Sequence, residues 1–243
     1  PQLEELKLLC SPDLTDAGIV HLKGLKRLRR LSVACTEMTD AGLAELRELR
    51  ELRELDLHGT YVTDAGLRHL EELALLQKLR LGRRIGNDGL KHLKGLAQLE
   101  GLILDGSKVT DVGLEHLEDL RRLRSLSLKG TRIAGPGLRH LKGLTQLQEL
   151  YLCDTLVTDS YLEHLGSLTQ LRELHLNVQN LCKFGEMRVT DAGLAHLKGL
   201  TELEMLDLSS TRITDAGLEH LRNLTRLQTL RLSYTAITGK GLE

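Results

Sequence analysis

Eight histidines share one position of a recurring phrase in this 243-residue chain: His21, His69, His92, His116, His140, His164, His196 and His220, with Glu45 in that place once. Imidazole ligates metals and changes charge near pH 6.5, so an aligned row raises two chemistries, metal binding and pH sensing. Spacing opposes the metal. The row steps by about 24 residues. If each histidine sits on its own short helix, neighbouring helices lie ~8–10 Å apart. Two nitrogens sharing a zinc, each ~2.0–2.1 Å from it, nearly touch. With Leu67 at 0° and ~100° per residue, His69 falls at ~200°, on the shoulder of the apolar arc. The row therefore reads as packing between successive segments, and no metal is expected among His116, His140, His164, His196 and His220.

Other reactive groups point to no catalytic centre. The cysteines fall at 10, 35, 153 and 182, without a C-x-x-C spacing. Cys10 and Cys35 share one unit position, and neighbouring in-register strands rarely suit disulfide geometry. Buried or half-buried free thiols are expected, with a Cys153–Cys182 tether as the alternative. "GRRIGNDG", Gly82 to Gly89, has glycines but neither the lysine nor the spacing of a phosphate loop, and there is no H-E-x-x-H. Neither catalysis nor a cofactor is expected.

Lys plus Arg (33) nearly balances Asp plus Glu (34), so no bulk field steers the chain to nucleic acid or an anionic membrane. Aromatics are 2% of residues, too few for base-stacking platforms. No apolar run approaches the ~18 residues of a membrane helix. The expected partner is a protein, with no nucleic acid and no membrane. The cysteine usage suggests a reducing, cytoplasmic compartment.

A repeat must position any site. L-x-x-L-x-L recurs from Leu3, Leu28, Leu52, Leu76, Leu99, Leu123, Leu147, Leu171, Leu203 and Leu227, at spacings of 25, 24, 24, 23, 24, 24, 24, 32 and 24. Within a unit, Leu55 and Leu57 alternate with Glu54, Asp56 and His58, which is strand period. Leu67, Leu70 and Leu73 recur every third residue, which reads as a short helix. Thr63 and Asp64 stand where a capping hydroxyl and an acid would open that helix. Strands are expected near 54–58, 102–105, 126–129, 150–153, 174–177 and 206–209, in one parallel sheet, and helices near 64–72, 111–119, 159–166 and 215–222. One unit cannot bury its leucines alone; stacked units share a core. Strands ~4.8 Å apart beside wider-spaced helices bend the stack into a horseshoe, sheet inside and helices outside. The whole chain, 1–243, is expected to be a single α/β domain of about ten units, cut from a longer protein.

These registered units resemble a leucine-rich repeat protein over essentially the whole chain. The usual Asn or Cys after the strand is replaced by Thr36, Thr60, Ser107, Thr131, Thr155, Thr211 and Thr235, whose hydroxyls can serve the turn as an Asn ladder does. The "ITDAGL" helix start is similar to the cysteine-containing repeats of F-box receptors and to short planctomycete-type bacterial repeats. The resemblance implies protein binding. It leaves two alternatives: a substrate receptor in a larger enzyme such as a ubiquitin ligase, or a structural, self-assembling stack.

The leucines, the Gly of "DAGL" and the Thr-Asp pair barely vary between units, whereas outward strand positions vary freely. One outward column runs Lys7, Ser32, Asp56, Arg80, Ile103, Ser127, Tyr151, His175, Asp207, Arg231. The next includes His58, Asp105, Cys153 and Asn177. Ile103, Tyr151 and Met205 put apolar or aromatic groups on an exposed face, and Tyr is enriched at binding hot spots. Arg83 and Arg84 join Lys78 and Arg80 in a basic patch opposite Glu54 and Asp56. The 32-residue unit carries an insertion, Asn177 to Arg188, holding the chain's one Phe, Phe184, with Leu181, Met187 and Lys183. It is expected to form a rim loop over Tyr151 and His175, since insertions in repeat arrays map to one face. The candidate partner-binding residues are Asp56, His58, Arg80, Ile103, Asp105, Tyr151, His175, Phe184, Asp207 and Arg231. Leu3, Leu6, Leu8 and Leu242 stand in end units without polar caps, so end-to-end self-association is a further expectation.

Overall fold

The computed structural model describes residues 2–178 and 189–242. Each unit opens with a three-residue strand: β1 Glu5–Lys7, β2 Arg30–Ser32, β3 Glu54–Asp56, β4 Lys78–Arg80, β5 Gly101–Ile103, β6 Ser125–Ser127, β7 Glu149–Tyr151, β8 Glu173–His175, β9 Met205–Asp207 and β10 Thr229–Arg231. They form one open parallel sheet in chain order. The central leucine of each strand points inward; Leu55 is 2% exposed and Leu57 fully buried. Each such leucine contributes ~1.5–3 kcal/mol by leaving water, and the leucine rows run together as one core along the stack.

The strands are shorter than the alternation predicts. Hydrogen bonds continue past them, as from Leu57 N–H to Arg80 O at 2.8 Å and from Cys35 N–H to His58 O at 2.7 Å. A residue in the left-handed region then turns the chain off the sheet. Cys10, Cys35, Gly59, Gly106, Gly130, Asp154, Ser210 and Tyr234 hold that position, with φ between 51° and 73°. In six units, among the described residues, a hydroxyl, buried in five of them, closes the turn, as Thr36 and Thr131 show by donating to Val33 O at 2.8 Å and Leu128 O at 2.6 Å. The Ser107 hydroxyl has no such partner.

The helices are tighter than expected. Asp64–Leu70, Asp111–Leu117 and Asp159–Leu165 are 3₁₀ throughout, and Asp215–Leu218 is a single α-turn continued as 3₁₀ over Glu219–Leu221. Leucines at every third residue eclipse one another in a helix of 3.0 residues per turn, so the spacing itself favours the 3₁₀ form.

The Thr-Asp pair does more than cap. Asp40 reaches into the next unit, where its two oxygens accept from Thr63 N–H at 2.7 Å and Thr63 Oγ1 at 2.6 Å. Asp16, Asp159, Asp191 and Asp215 make the same paired bonds to Thr39, Thr190, Thr214 and Thr238. Asn87 does so for Thr110 with its amide. The glycine of "DAGL" makes room for this clamp: a Cβ on Gly66 would stand 2.2 Å from Asp40 Oδ1. Three junctions depart from it: Asp64 holds only the Gly86 N–H, at 2.7 Å, Asp111 holds the N–H groups of Ala134, Gly135 and Gly137, and the third has no carboxylate. Gly135 occupies the aspartate position of "IAGPGL", and the following unit carries Tyr161 where its siblings have glycine; the Tyr161 ring covers Gly135. Loss of the carboxylate and gain of the ring are one compensated change.

Candidate functional site: the outward face of the sheet

In-register pairing aligns the third residue of every strand into the column that alternation predicts, from Lys7 through Asp56, Arg80, Ile103, Tyr151, His175 and Asp207 to Arg231. The first residues make a second column, Glu5, Arg30, Glu54, Lys78, Gly101, Ser125, Glu149, Glu173, Met205 and Thr229. A groove of roughly 690 Å³ runs along both from β1 to β7, lined among others by Lys7, Arg30, Asp56, Arg80, Ile103 and Glu149.

At one end of the groove the charges pair internally. Glu5 binds Arg30 and lies 2.8 Å from Lys7, and hydrogen bonds from Lys7 and then Arg30 hold its carboxyl down to about 2. Lys78 Nζ lies 3.4 Å from Glu54. Asp56 accepts from His58 N–H at 2.9 Å. Arg80 Nε and His58 Nδ1 are buried without a hydrogen-bond partner, and burial followed by Arg80 lowers the His58 pKa. Arg84 stacks on Tyr61 at 4.6 Å. Asp105 lies beyond its strand, in the turn, and accepts from Ser127 Oγ at 2.5 Å.

Beyond the uncharged stretch of Gly101, Ile103, Ser125 and Ser127, the character changes. Tyr151 and His175 stack, with centroids 4.5 Å apart and planes 23° apart. Tyr151 Oη donates to Glu173 Oε2 at 3.2 Å. Burial, then Glu149 and Glu173, push the phenol well above its ordinary range. His175 Nε2 lies 3.7 Å from Glu173, outside hydrogen-bond reach, and has no other partner. Burial lowers its pKa against the pull of Asp207 and Glu173. Asp207 lies 3.6 Å from Arg231 and accepts from Ser209 N–H. Phe184, Leu181, Met187, Lys183 and Cys182 lie outside the described residues. The chain keeps to the ladder as far as Val178, whose N–H donates to Ser209 O at 3.1 Å.

Two solved structures share this architecture. An internalin (inlF) from Listeria monocytogenes superposes with a TM-score of 0.62 at 22% identity, over 99% of this chain and 84% of that one. An internalin C2 (inlC2) from the same organism superposes with a TM-score of 0.64 at 23% identity, over 95% and 80%. A family profile described as "Leucine Rich repeat" matches residues 200–221 and 223–243. The chain is a leucine-rich repeat solenoid. No curated protein sequence matches it significantly.

Of the histidine row, His92 and His140 pair with the preceding unit, whereas His116 Nδ1 and His164 Nδ1 are buried without a hydrogen-bond partner. His92 Nδ1 lies 2.6 Å from Glu71 of the preceding unit, and His140 binds Glu118 in the same way. The side chains of His92, His116, His140 and His164 are 15–21% exposed, while His21 and His196 are exposed. Among the described residues no three His, Cys, Asp or Glu converge as a metal site. Cys10 and Cys35 are free but exposed, not buried, because the left-handed turn swings them off the core. Cys153 is buried, and burial pushes its thiol up to about 11. No helix among the described residues is long and apolar enough to cross a membrane.

Sequence reading missed Glu149 and Glu173. Both stand two residues before column members that it singled out, so alternation already placed them on the same face.

Proposed function

We propose that this solenoid is a non-catalytic, intracellular protein-interaction module that docks a partner across the outward face of its sheet. The observation that carries the reading is the contrast between fixed and free positions. Leucine, threonine, aspartate and glycine rows are dictated by core, turn and clamp contacts. The two outward columns change charge, size and polarity from strand to strand within one continuous, register-locked surface. Solenoids present such surfaces for multi-point binding. Asp56, Arg80, Ile103, Tyr151, His175, Asp207 and Arg231 are the contacts we assign, with His58 and Asp105 at the rim and Phe184 on the insertion. Affinity capture from the source cells, followed by mass spectrometry, tests it. Wild type should retain a partner that Tyr151→Ala and Arg80→Glu lose at least tenfold, while Val112→Ser, on the exposed helix side, keeps it. Equal recovery by all four would overturn the reading.

A further inference from the structure

Resting on that docking reading, we propose that Tyr151, His175, Glu149 and Glu173 form a pocket for an arginine side chain carried by an extended segment of the partner. A guanidinium is planar, weakly hydrated and stacks on aromatic faces while its fork donates to carboxylates. The stacked Tyr151–His175 pair supplies a two-ring platform. Glu149 and Glu173 precede those rings by two residues on β7 and β8, so all four side chains leave the same face.

The two carboxylates differ from others on the sheet. Glu5, Glu54 and Asp207 stand beside Arg30, Lys78 and Arg231. Among the described residues neither Glu149 nor Glu173 has a lysine or arginine within ion-pair distance. Ser125 Oγ donates to Glu149 Oε2 at 2.7 Å and Tyr151 Oη to Glu173 Oε2, which leaves the second oxygen of each carboxylate to accept from a ligand. Two adjacent uncompensated carboxylates call for a cation. Neutral His175 adds ring surface without repelling it.

A separate observation points to a donor-rich ligand. Asn177 follows Glu173 and His175 on the same face of the β8 extension. It is only 4% exposed, yet its Oδ1 has no hydrogen-bond partner. A buried acceptor left unpaired is costly, and a donor that displaced its cover and reached it would relieve that cost. On the other flank, Gly101, Ser125 and Ser127 carry little side-chain bulk, which leaves space for an extended main chain to approach Tyr151. Anionic partners such as nucleic acid are disfavoured here by the same carboxylates.

The test uses the full chain with amidated tetra-arginine, tetra-lysine and tetra-citrulline peptides, citrulline being arginine's uncharged isostere. Amide shifts are followed by NMR. Tetra-arginine should give saturable shifts centred on residues 149–151 and 173–177, with affinity at least tenfold above tetra-lysine and no measurable binding of tetra-citrulline. Glu149→Gln with Glu173→Gln should weaken binding at least tenfold; Tyr151→Phe, which keeps the ring, should retain it; Glu204→Gln, outside the pocket, should change nothing. Tyr151→Ala should abolish stacking, and its melting curve guards against a folding defect. Equal binding of arginine and lysine peptides, shifts centred elsewhere, indifference to the double variant, or no saturation would each overturn the arginine pocket. The docking reading is judged separately by the capture experiment. If its face variants lose the partner while tetra-arginine fails to bind here, only the arginine assignment falls.

Discussion

The carboxylate clamp is the smallest unit that explains the phrase "TDAGL". Asp40 gives one oxygen to the Thr63 backbone and one to its hydroxyl, both part-buried. Hydrogen bonds to a charged group contribute about 1.5–3 kcal/mol, so Asp40→Ala should lower unfolding free energy by about 2–3 kcal/mol in urea titration. Asp40→Asn should cost under about 1 kcal/mol, since Asn87 already holds Thr110 through both amide atoms. An Asn variant as damaged as the Ala variant would refute the clamp. Gly66 belongs to the same device. Gly66→Ala puts a Cβ 2.2 Å from Asp40 Oδ1 and should destabilise by more than the ordinary glycine-to-alanine change. In the double variant, Asp40→Ala with Gly66→Ala, the two losses should fall short of additive by about 1 kcal/mol or more, because the clash disappears with the carboxylate. Additive losses would mean that glycine is there for another reason.

At the scale of one unit against the next, the junction covered by Tyr161 is the informative exception. The backbone N–H groups of Thr63, Thr110 and Thr190 donate to a clamp side chain, whereas Thr158 N–H faces a unit whose clamp position is Gly135. Native-state hydrogen exchange should therefore be at least tenfold faster at Thr158 than at those three threonines, and equal protection would show that Tyr161 replaces the clamp fully. Much of this architecture was legible in the sequence. Leucine spacing located the ten units and the parallel order of their strands, six of which were placed by number, because the period and the alternation leave one arrangement that buries the leucine rows. Three features were not legible. The left-handed residue that follows eight of the ten strands is a cysteine, glycine, aspartate, serine or tyrosine, so no residue type marks it. The leucines spaced by three were read only as a short helix, since that spacing favours the 3₁₀ form without excluding an α-turn. The aspartate looked like a cap for its own helix, since only the stack reveals that the neighbouring threonine is its partner. On the candidate site, alternation found the column of Tyr151 and His175 but passed over Glu149 and Glu173, which no apolar or aromatic signal distinguished. The insertion, with Phe184, lies outside the described residues.

For the whole solenoid, protonation and docking give the broadest tests. Burial lowers the pKa values of His58, His69, His164 and His175. Their folded-state pKa values thus lie below the unfolded value of about 6.5, and the fold favours the neutral ring. Stability is then complete above about pH 6.5 and declines as pH falls through that value towards the folded ones. The urea midpoint should fall between pH 7.5 and pH 5.5; a midpoint that rose would contradict the assignment. Asp215, lowered by its hydrogen bonds to Thr238, and Glu5, held at about 2, contribute stability above the ordinary carboxylate range that is lost only under stronger acid. The central claim is that the partner lies across the sheet. The most direct measurement places a benzophenone photocrosslinker in turn at residue 103 on the sheet face, at residue 112 on the exposed helix side and at residue 234 in the last unit, then irradiates the captured complex. The account predicts covalent adducts to the partner from residue 103 and none above background from residue 112. Adducts formed from residue 112 or 234 with none from residue 103 would contradict it.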